Sequence, residues 1–264
     1  MPEHSLSPVE FRSVTFAYET DPILADLTLA LPPGVTSLVG PNGTGKSTFL
    51  VLASGRLLPQ AGEVLLEGQP TSGLDDQERS RLCSLVFQNM EFESDEPAGQ
   101  LLEQVFTQGY LDPQAPGILA EVQTVFELQK VLGRPTRALS KGEMQRLIMA
   151  FAVLYGSRVV VMDEPVFALE EKQKHRALEF LSVHARSTGT TFLYCAHELD
   201  LHRSFSDHVV LFSKGAPPRL GTPDDMLSRE SLEAAYQVPY ALLHQKEELH
   251  RQMLVRMAEG TPRD

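Results

Sequence analysis

The residues best suited to chemistry form a glycine-rich segment with a lysine and hydroxyl side chains at its end. Its members are Gly40, Pro41, Asn42, Gly43, Thr44, Gly45, Lys46, Ser47 and Thr48. An apolar run (35–39) precedes it and a helix-like stretch (49–57) follows. This order is typical of a phosphate-binding loop, whose backbone N–H groups and helix N-terminus bind phosphate. Lys46 would reach the β- and γ-phosphates and Ser47 would ligate Mg²⁺, so we predict a nucleoside triphosphate site rather than a Gly/Asn-rich turn that merely precedes a helix.

A second candidate is the pair of adjacent carboxylates, Asp163 and Glu164, that ends the apolar run 159–162. Carboxylates at the end of a buried strand are costly unless a cation or hydrogen-bond donors lie beside them. With a phosphate loop in the same chain, Mg²⁺ is the simplest such cation. Asp163 would hold the ion through Ser47 or water, and Glu164 would polarise the water that attacks the γ-phosphate. The alternative is a plain acidic turn.

Gln88 and His197 also follow apolar strand-like runs, 83–87 and 192–196. Ligands of open α/β sheets bind at the carboxyl-terminal edge of the strands, and both residues would share that edge with Asp163. The Gln88 amide could orient water, touch Mg²⁺ and sense the γ-phosphate. A neutral His197 imidazole could donate to that phosphate. Each could instead be structural, Gln88 as a polar strand end and His197 as an ordinary histidine.

Tyr18 and Ser140 each have a structural and a functional interpretation. Tyr18 is either a core aromatic residue or a ring that stacks on adenine. Ser140 precedes a helix predicted over 143–155, and Glu143 lies three residues on, which is the spacing of a capping box. The same open helix end, with a hydroxyl and free N–H groups, could bind a phosphate from outside.

The elements that would position these residues follow an α/β order. Strand-like runs occupy 9–16, 24–31, 35–39, 62–68, 83–87, 159–162, 192–196 and 207–212. Between 92 and 150 the pattern is helical and no strand is predicted. We therefore expect a nucleotide-binding core made of 1–91 and 151–243, interrupted by a helical subdomain. A turn over 215–218, a helix over 224–236 and a charged, helix-like tail over 244–264 complete the prediction.

The composition argues against several classes of protein. A formal net charge of −12 and the lack of a basic stripe argue against nucleic acid as a partner. The N-terminus lacks a signal-peptide pattern, and the longest uncharged apolar-rich run, 147–157, is too short to cross a bilayer. Any connection to a membrane would therefore be through a partner. Cys83 and Cys195 lie in apolar runs and are expected to be buried thiols in a reducing cytosol, not a disulfide.

These motifs, in this order, resemble those of the ATP-binding subunit of ABC transporters from residue 9 to about 243. Residues 40–48 match the Walker A motif, and 159–163 match Walker B. The resemblance implies an α/β fold with a P-loop NTPase core, in which a mixed sheet carries helices on both faces. It also implies an N-terminal antiparallel β section and an inserted helical subdomain, which corresponds to 92–150.

The resemblance assigns a role to single residues. The catalytic residues would be Lys46, Gln88, Glu164 and His197, and the metal ligands would be Ser47, Gln88 and Asp163. Tyr18 would stack on adenine. Two subunits of that family dimerise head to tail with ATP bound, so Ser140 and Gly142 would cap the ATP held by the other chain.

The resemblance also implies ATP and Mg²⁺ as ligands and transmembrane permease subunits as partners. A solute-binding protein would act through the permease, and the chain would be a peripheral subunit on the cytoplasmic face of the membrane. Segments 76–88, 208–221 and 231–240 resemble importers of iron complexes, haem or cobalamin. The alternatives are a non-transporting ABC-type ATPase in a cytosolic complex, a P-loop small-molecule kinase, and a regulatory module that holds ATP without cleaving it.

Three positions depart from the family pattern. Residues 139–143 stand where the signature motif of the family, LSGGQ, belongs; there Lys141 replaces a glycine and Glu143 replaces the glutamine. Glu170 stands where the D-loop aspartate is expected. None of these changes removes Lys46, the pair Asp163 and Glu164, or His197, which matches the switch histidine of the family. Hydrolysis of ATP is therefore expected to survive.

Overall fold

The structure is a computed structural model, and it describes residues 7–88, 90–112 and 117–243. The tail predicted over 244–264 and the residue after Gln88 lie outside the described residues.

Within these ranges the chain forms strands and helices in the predicted α/β order. The strands are β1 (Val9–Phe16), β2 (Leu24–Leu31), β3 (Val35–Val39), β4 (Ala61–Leu66), β5 (Gln69–Pro70), β6 (Cys83–Val86), β7 (Val159–Asp163), β8 (Thr191–Cys195), β9 (His208–Ser213) and β10 (Ala216–Gly221). The α-helices are α1 (Lys46–Ala53), α2 (Asp76–Leu82), α3 (Ala98–Gln108), α4 (Ile118–Val125), α5 (Lys141–Tyr155), α6 (Glu171–Thr188), α7 (Leu199–Phe205), α8 (Pro223–Met226) and α9 (Arg229–Tyr236). Short 3₁₀ turns occupy Thr71–Gly73 and Thr136–Ala138.

The N-terminal strands form an antiparallel sheet in the order β2-β1-β4-β5. On β1 the apolar residues Val9, Phe11, Val14 and Phe16 are buried. The spacing of two is broken once, between Phe11 and Val14, because a register shift interrupts the pairing there and Ser13 has a φ of 48°. This sheet is the antiparallel section that the sequence predicts.

The second sheet has the order β10-β9-β3-β8-β7-β6, with every pairing parallel except that of β10 with β9. Strands β3, β7 and β8 are buried at every position, as expected where both faces of a sheet are covered. On β7, Val159 and Val161 pack in one hydrophobic cluster with α1 and the antiparallel sheet, while Val160 and Met162 pack with α3, α5 and α6. The mixed sheet with helices on both faces is confirmed.

Two sequence predictions near the C-terminus are wrong. Residues 215–218 are not only a turn, because the chain reverses at Gly215, with a φ of 71°, and returns as the edge strand β10. The helix predicted over 224–236 is two helices, since Ser228 caps a new helix, α9, with its Oγ accepting from the N–H of Ser231. The sequence does not predict β10 because prolines are unusual in strands other than edge strands. It does not predict the break between α8 and α9 because a serine can lie inside a helix as well as cap one.

Several predicted helices keep their place but change their ends. The helix after the phosphate loop spans Lys46–Ala53, not 49–57, because the chain turns at Gly55, whose φ is 68°. Within the helical pattern predicted between 92 and 150, α4 ends at Val125, and the chain turns at Glu127, with a φ of 52°.

Cys83 and Cys195 are both buried and free, as predicted for the two thiols. Among the described residues, none of the helices combines the length and apolar character required to span a bilayer.

Candidate active site

The glycine-rich loop joins the buried strand β3 to α1 at the carboxyl-terminal edge of the mixed sheet. Gly40, Gly43 and Gly45 have φ values of 147°, 77° and 94°, a range that favours glycine. A Cβ on Gly40 would lie 2.5 Å from the carbonyl oxygen of Phe212 on β9. Close packing on the neighbouring strand therefore demands glycine at the start of the loop.

Lys46, the first residue of α1, folds back over this loop. Its Nζ donates to the carbonyl oxygens of Gly40, at 2.7 Å, and Pro41, at 3.0 Å. Burial lowers the pKa of Lys46, and the charges of Glu164 and Asp163 act in the opposite direction. The residue before α1, Gly45, has no side chain that could cap the helix. The first N–H groups of a helix that lacks such a cap are suited to binding an anion.

Asp163 ends β7, and Glu164 follows it, with exposures of only 9% and 7%. The Cys195 thiol on the adjacent strand β8 donates to Oδ1 of Asp163 at 2.7 Å. Glu164 has a φ of 54°, which is sparsely populated for a residue with a Cβ. Burial, followed by the charge of Asp163, raises the pKa of Glu164 to about 7, while Lys46 opposes the rise. Glu164 therefore gains and loses a proton near neutral pH.

His197 and Gln88 lie at the same edge of the sheet. The chain leaves β8 two residues before His197, whose Nε2 is 3.1 Å from Oε1 of Glu164. Gln88 lies two residues beyond β6, the neighbour of β7, and is exposed. The parallel register thus brings Asp163, Glu164, His197 and the phosphate loop together, as the strand-end pattern predicts.

The oxygen donors at this edge suit Mg²⁺. The exposed hydroxyl of Ser47 on α1, the carboxylate of Asp163 and the amide of Gln88 are hard ligands of the kind that Mg²⁺ prefers. Within the described residues no group of three or more His, Cys, Asp or Glu side chains could hold a metal by itself. An ion here would need phosphate oxygens as further ligands, which is the usual arrangement in nucleotide sites.

Tyr18 lies on the surface, with 65% of its area exposed. Its ring meets Phe16 edge to face at 5.0 Å. The interpretation of Tyr18 as a core residue is therefore wrong. Its exposed ring is open to stacking against a ligand.

The capping box predicted at Ser140 is present. The Ser140 Oγ accepts from the Glu143 N–H at 3.3 Å, and Oε2 of Glu143 accepts from the Ser140 N–H at 2.8 Å. Glu143 also forms an ion pair with Arg134 at 3.0 Å. A Cβ on Gly142 would lie 2.9 Å from the carbonyl oxygen of Ala168. The start of α5 thus packs on the segment that leads from β7 to α6.

Glu170 caps the start of α6 in a similar manner. Its backbone N–H donates to Oε1 of Gln173 at 3.2 Å, and that oxygen also accepts from Arg146 of α5 at 3.2 Å. The Gln173 side chain therefore links the start of α6 to the second turn of α5.

Sequence reasoning missed the role of Cys195, which it treated only as a buried thiol. Its contact with Asp163 follows from the pairing of β7 with β8, in which Asp163 is opposite Cys195. The available signal was its place at the end of an apolar run, two residues before His197.

Comparison with known proteins bears on the identity of this site. The profile of the ABC transporter family matches residues 24–167. The nickel import ATP-binding protein NikO of Rhodobacter capsulatus is 32% identical over 245 residues, which cover 84% of this chain and 92% of NikO. The hemin import ATP-binding protein HmuV of Pseudomonas aeruginosa is 34% identical over 229 residues, with coverages of 81% and 86%. The chain spans only 41% of the putative HMP/thiamine import ATP-binding protein YkoD of Bacillus subtilis, at 29% identity.

Solved structures show the same fold. The cbiO1 protein of Clostridium perfringens, part of the cbiONQ transporter complex, aligns with a TM-score of 0.70 at 19% identity and covers 91% of this chain and 99% of its own. A dimeric ATP-binding cassette bound to ADP and Pi aligns with a TM-score of 0.69 at 23% identity, with coverages of 81% and 98%. The family profile spans more than half of the 264 residues. The chain therefore belongs to the ABC transporter family and has the fold of an ATP-binding cassette.

Proposed function

We propose that this chain is the ATP-hydrolysing subunit of an importer, in which two cassettes drive a separate membrane permease. The observation that carries the proposal is the meeting of Lys46, Asp163, Glu164 and His197 at one edge of the sheet. Relatives named for the import of nickel and hemin support the direction of transport.

The phosphate loop would hold the triphosphate. The backbone N–H groups of the loop, Pro41 excepted, and those at the start of α1 would bind the phosphates. Lys46 would exchange its two carbonyl partners for the β- and γ-phosphates. Ser47, Asp163 and Gln88 would hold Mg²⁺, which when bound neutralises phosphate charge. The exposed ring of Tyr18 would stack on adenine.

Glu164 is the proposed general base. A pKa of about 7 suits this role, since a base works best when its pKa lies near the operating pH. The attacking water would pass its proton to the Glu164 carboxylate. The neutral imidazole of His197, whose Nε2 lies 3.1 Å from Oε1 of that carboxylate, would donate its one N–H to the γ-phosphate.

A second copy of the chain would complete the site. Ser140 and Gly142 would cap the ATP held by the partner, because a capped helix end still presents N–H groups and a hydroxyl to an anion. The acidic replacement at Glu143 does not leave a free charge there, since its carboxylate is engaged by the Ser140 N–H and by Arg134.

The surface beside Gln88 would contact the permease. Phe87 and Met90 are exposed apolar side chains on either side of this position, and the adjoining residues up to 102 belong to the proposed helical subdomain, 92–150. This contact would hold the chain on the cytoplasmic face of the membrane. The proposed solutes are iron complexes, haem or cobalamin, delivered by a solute-binding protein.

The test is Glu164→Gln in the full chain, with Glu179→Gln, an exposed residue of α6, as the matched control. We expect turnover of ATP to fall by about 10² to 10⁴, the range for loss of a general base, and the variant to accumulate as an ATP-bound dimer on gel filtration. Near-normal turnover, or failure to pair crosswise with ATP and permease present, would refute the assignment. Co-purification with a multi-span membrane protein separates an importer subunit from a cytosolic ATPase.

A further inference from the structure

A buried ion pair lies directly behind the switch histidine. Lys174 on α6 is only 4% exposed. Its Nζ forms an ion pair with the largely buried carboxylate of Glu198 and lies 3.7 Å from Oε2 of Glu171. Among the described residues nothing donates a hydrogen bond to the second carboxylate oxygen of Glu198, which is also buried. Lysine is almost never buried without a partner, and a buried pair often stabilises a fold less than apolar residues would. Stability alone therefore does not account for the pair.

The position of the Lys174–Glu198 ion pair beside His197 suggests its role. Glu198 directly follows His197, and on the other side the carbonyl oxygen of Ala196 accepts from Nε2 of His202 at 2.9 Å. His202 is fully buried, and burial lowers its pKa to about 4, so the ring is neutral. The two neighbours of the half-exposed His197 are thus each held by a buried side chain from a helix.

We infer that Lys174 is a positioning residue for the ATPase reaction: its ion pair with Glu198 fixes the loop that presents His197 to Glu164. This rests on the proposed function and adds a residue to it. The loop places Nε2 of His197 3.1 Å from Oε1 of Glu164. A misplacement of about 1 Å at a reacting group can lower the rate about 10²-fold. An ion pair that fixes the position of this loop would therefore raise the rate of the reaction.

The test must separate positioning from folding. Lys174→Met alone leaves the Glu198 carboxylate buried and unpaired, which destabilises a fold strongly. The double variant Lys174→Met, Glu198→Met removes both charges and keeps side chains of similar length, so its melting temperature should equal or exceed that of the wild type. We expect its kcat to fall about 10- to 100-fold while KM for ATP stays unchanged, because the proposed ATP contacts do not include Lys174. Lys174→Arg should retain most of the kcat.

The matched control is Arg186→Met at the far end of α6. Arg186 also forms an ion pair, with Asp207 at 3.4 Å, but it is exposed, so its loss should leave kcat unchanged. A double variant that melts like the wild type and also turns over like it would show that the pair is purely structural and would overturn the inference.

A second readout does not depend on turnover. The imidazole NMR signal of His197, identified by its loss in His197→Asn, should shift or broaden in the double variant and stay in place in Arg186→Met. An unmoved signal in the double variant would also overturn the inference. If the wild-type chain fails to hydrolyse ATP, the proposed function fails, and the NMR comparison still decides whether Lys174 positions the loop.

Discussion

Removal of the Glu164 charge should stabilise the nucleotide-free protein at alkaline pH much more than at mildly acid pH. The side chain is buried beside Asp163, and burial followed by that charge raises its pKa from 4.5 to about 7. In the unfolded chain neither influence remains, so the carboxyl returns to its ordinary pKa. Folding at pH 8 therefore forces a carboxylate into a place that favours the neutral acid.

The sign and size of this pH-dependent change in the free energy of unfolding follow from the linkage between proton binding and folding. A carboxyl whose pKa is higher in the folded protein contributes stability that is complete below the unfolded value, 4.5, and is lost as the pH rises through the folded value, about 7. The difference between the two values corresponds to about 3 kcal/mol in the free energy of unfolding. About 1.5 kcal/mol of it falls between pH 6 and pH 8.5, by the same linkage relation. Glu164→Gln keeps the shape of the side chain and abolishes this loss.

The assay is urea denaturation of wild type and Glu164→Gln at pH 6 and pH 8.5, with EDTA and without nucleotide. These values avoid the isoelectric region near pH 5.1, where solubility is lowest. The stability gained by the variant should be larger at pH 8.5 than at pH 6, whereas Glu179→Gln should show no such change. An equal effect of Glu164→Gln at both pH values would mean that the carboxyl titrates normally and would refute the account of its burial.

Three other substitutions test the phosphate loop and the proposed cap. Ser140→Ala should lower the free energy of unfolding by about 1 kcal/mol through loss of the helix cap, and should weaken ATP-dependent dimerisation on gel filtration; Ser140→Asn should restore the stability. Gly40→Ala should destabilise the fold by at least about 1 kcal/mol in thermal melts, because the added Cβ would lie 2.5 Å from the carbonyl oxygen of Phe212. Gly73→Ala should leave the melting temperature unchanged, because there is open space around Gly73. Lys46→Ala should lower ATP affinity at least about 10-fold, in line with the loss of a charged partner, as measured by calorimetry on a folded protein; unchanged affinity would contradict the role of the lysine.

The strand-end residues could be placed from the sequence because their pattern is strong and local. Asp163 and His197 each follow an apolar run of strand length, and parallel strands end at a common edge. The glycines of the phosphate loop mark a turn that few other residues could make. Together these features predict which groups meet, without any knowledge of their distances.

Other features depend on contacts that no local pattern records. Edge strand β10 contains two prolines and shows no alternation, so only its pairing with β9 reveals it. The division between α8 and α9 depends on whether Ser228 caps a helix or lies inside one, and its local pattern favours neither. Tertiary packing decides both outcomes.

The two residues that sequence reasoning overlooked share a property: each contacts a proposed site residue or its neighbour in sequence, and neither is a proposed ligand of the nucleotide. In the sequence, Cys195 resembles any core thiol and Lys174 resembles any helix lysine. The pairing of β7 with β8 sets Cys195 opposite Asp163, and the packing of α6 sets Lys174 beside Glu198, the residue after His197. A cysteine in a buried strand and a lysine in a helix are both common, whereas adjacent carboxylates at the end of a buried strand are unusual. What distinguishes them is a partner 24 to 32 residues away in sequence. Groups proposed to contact the nucleotide can therefore be identified from their own chemistry, whereas the groups proposed to hold them in place are identified only once the fold is known.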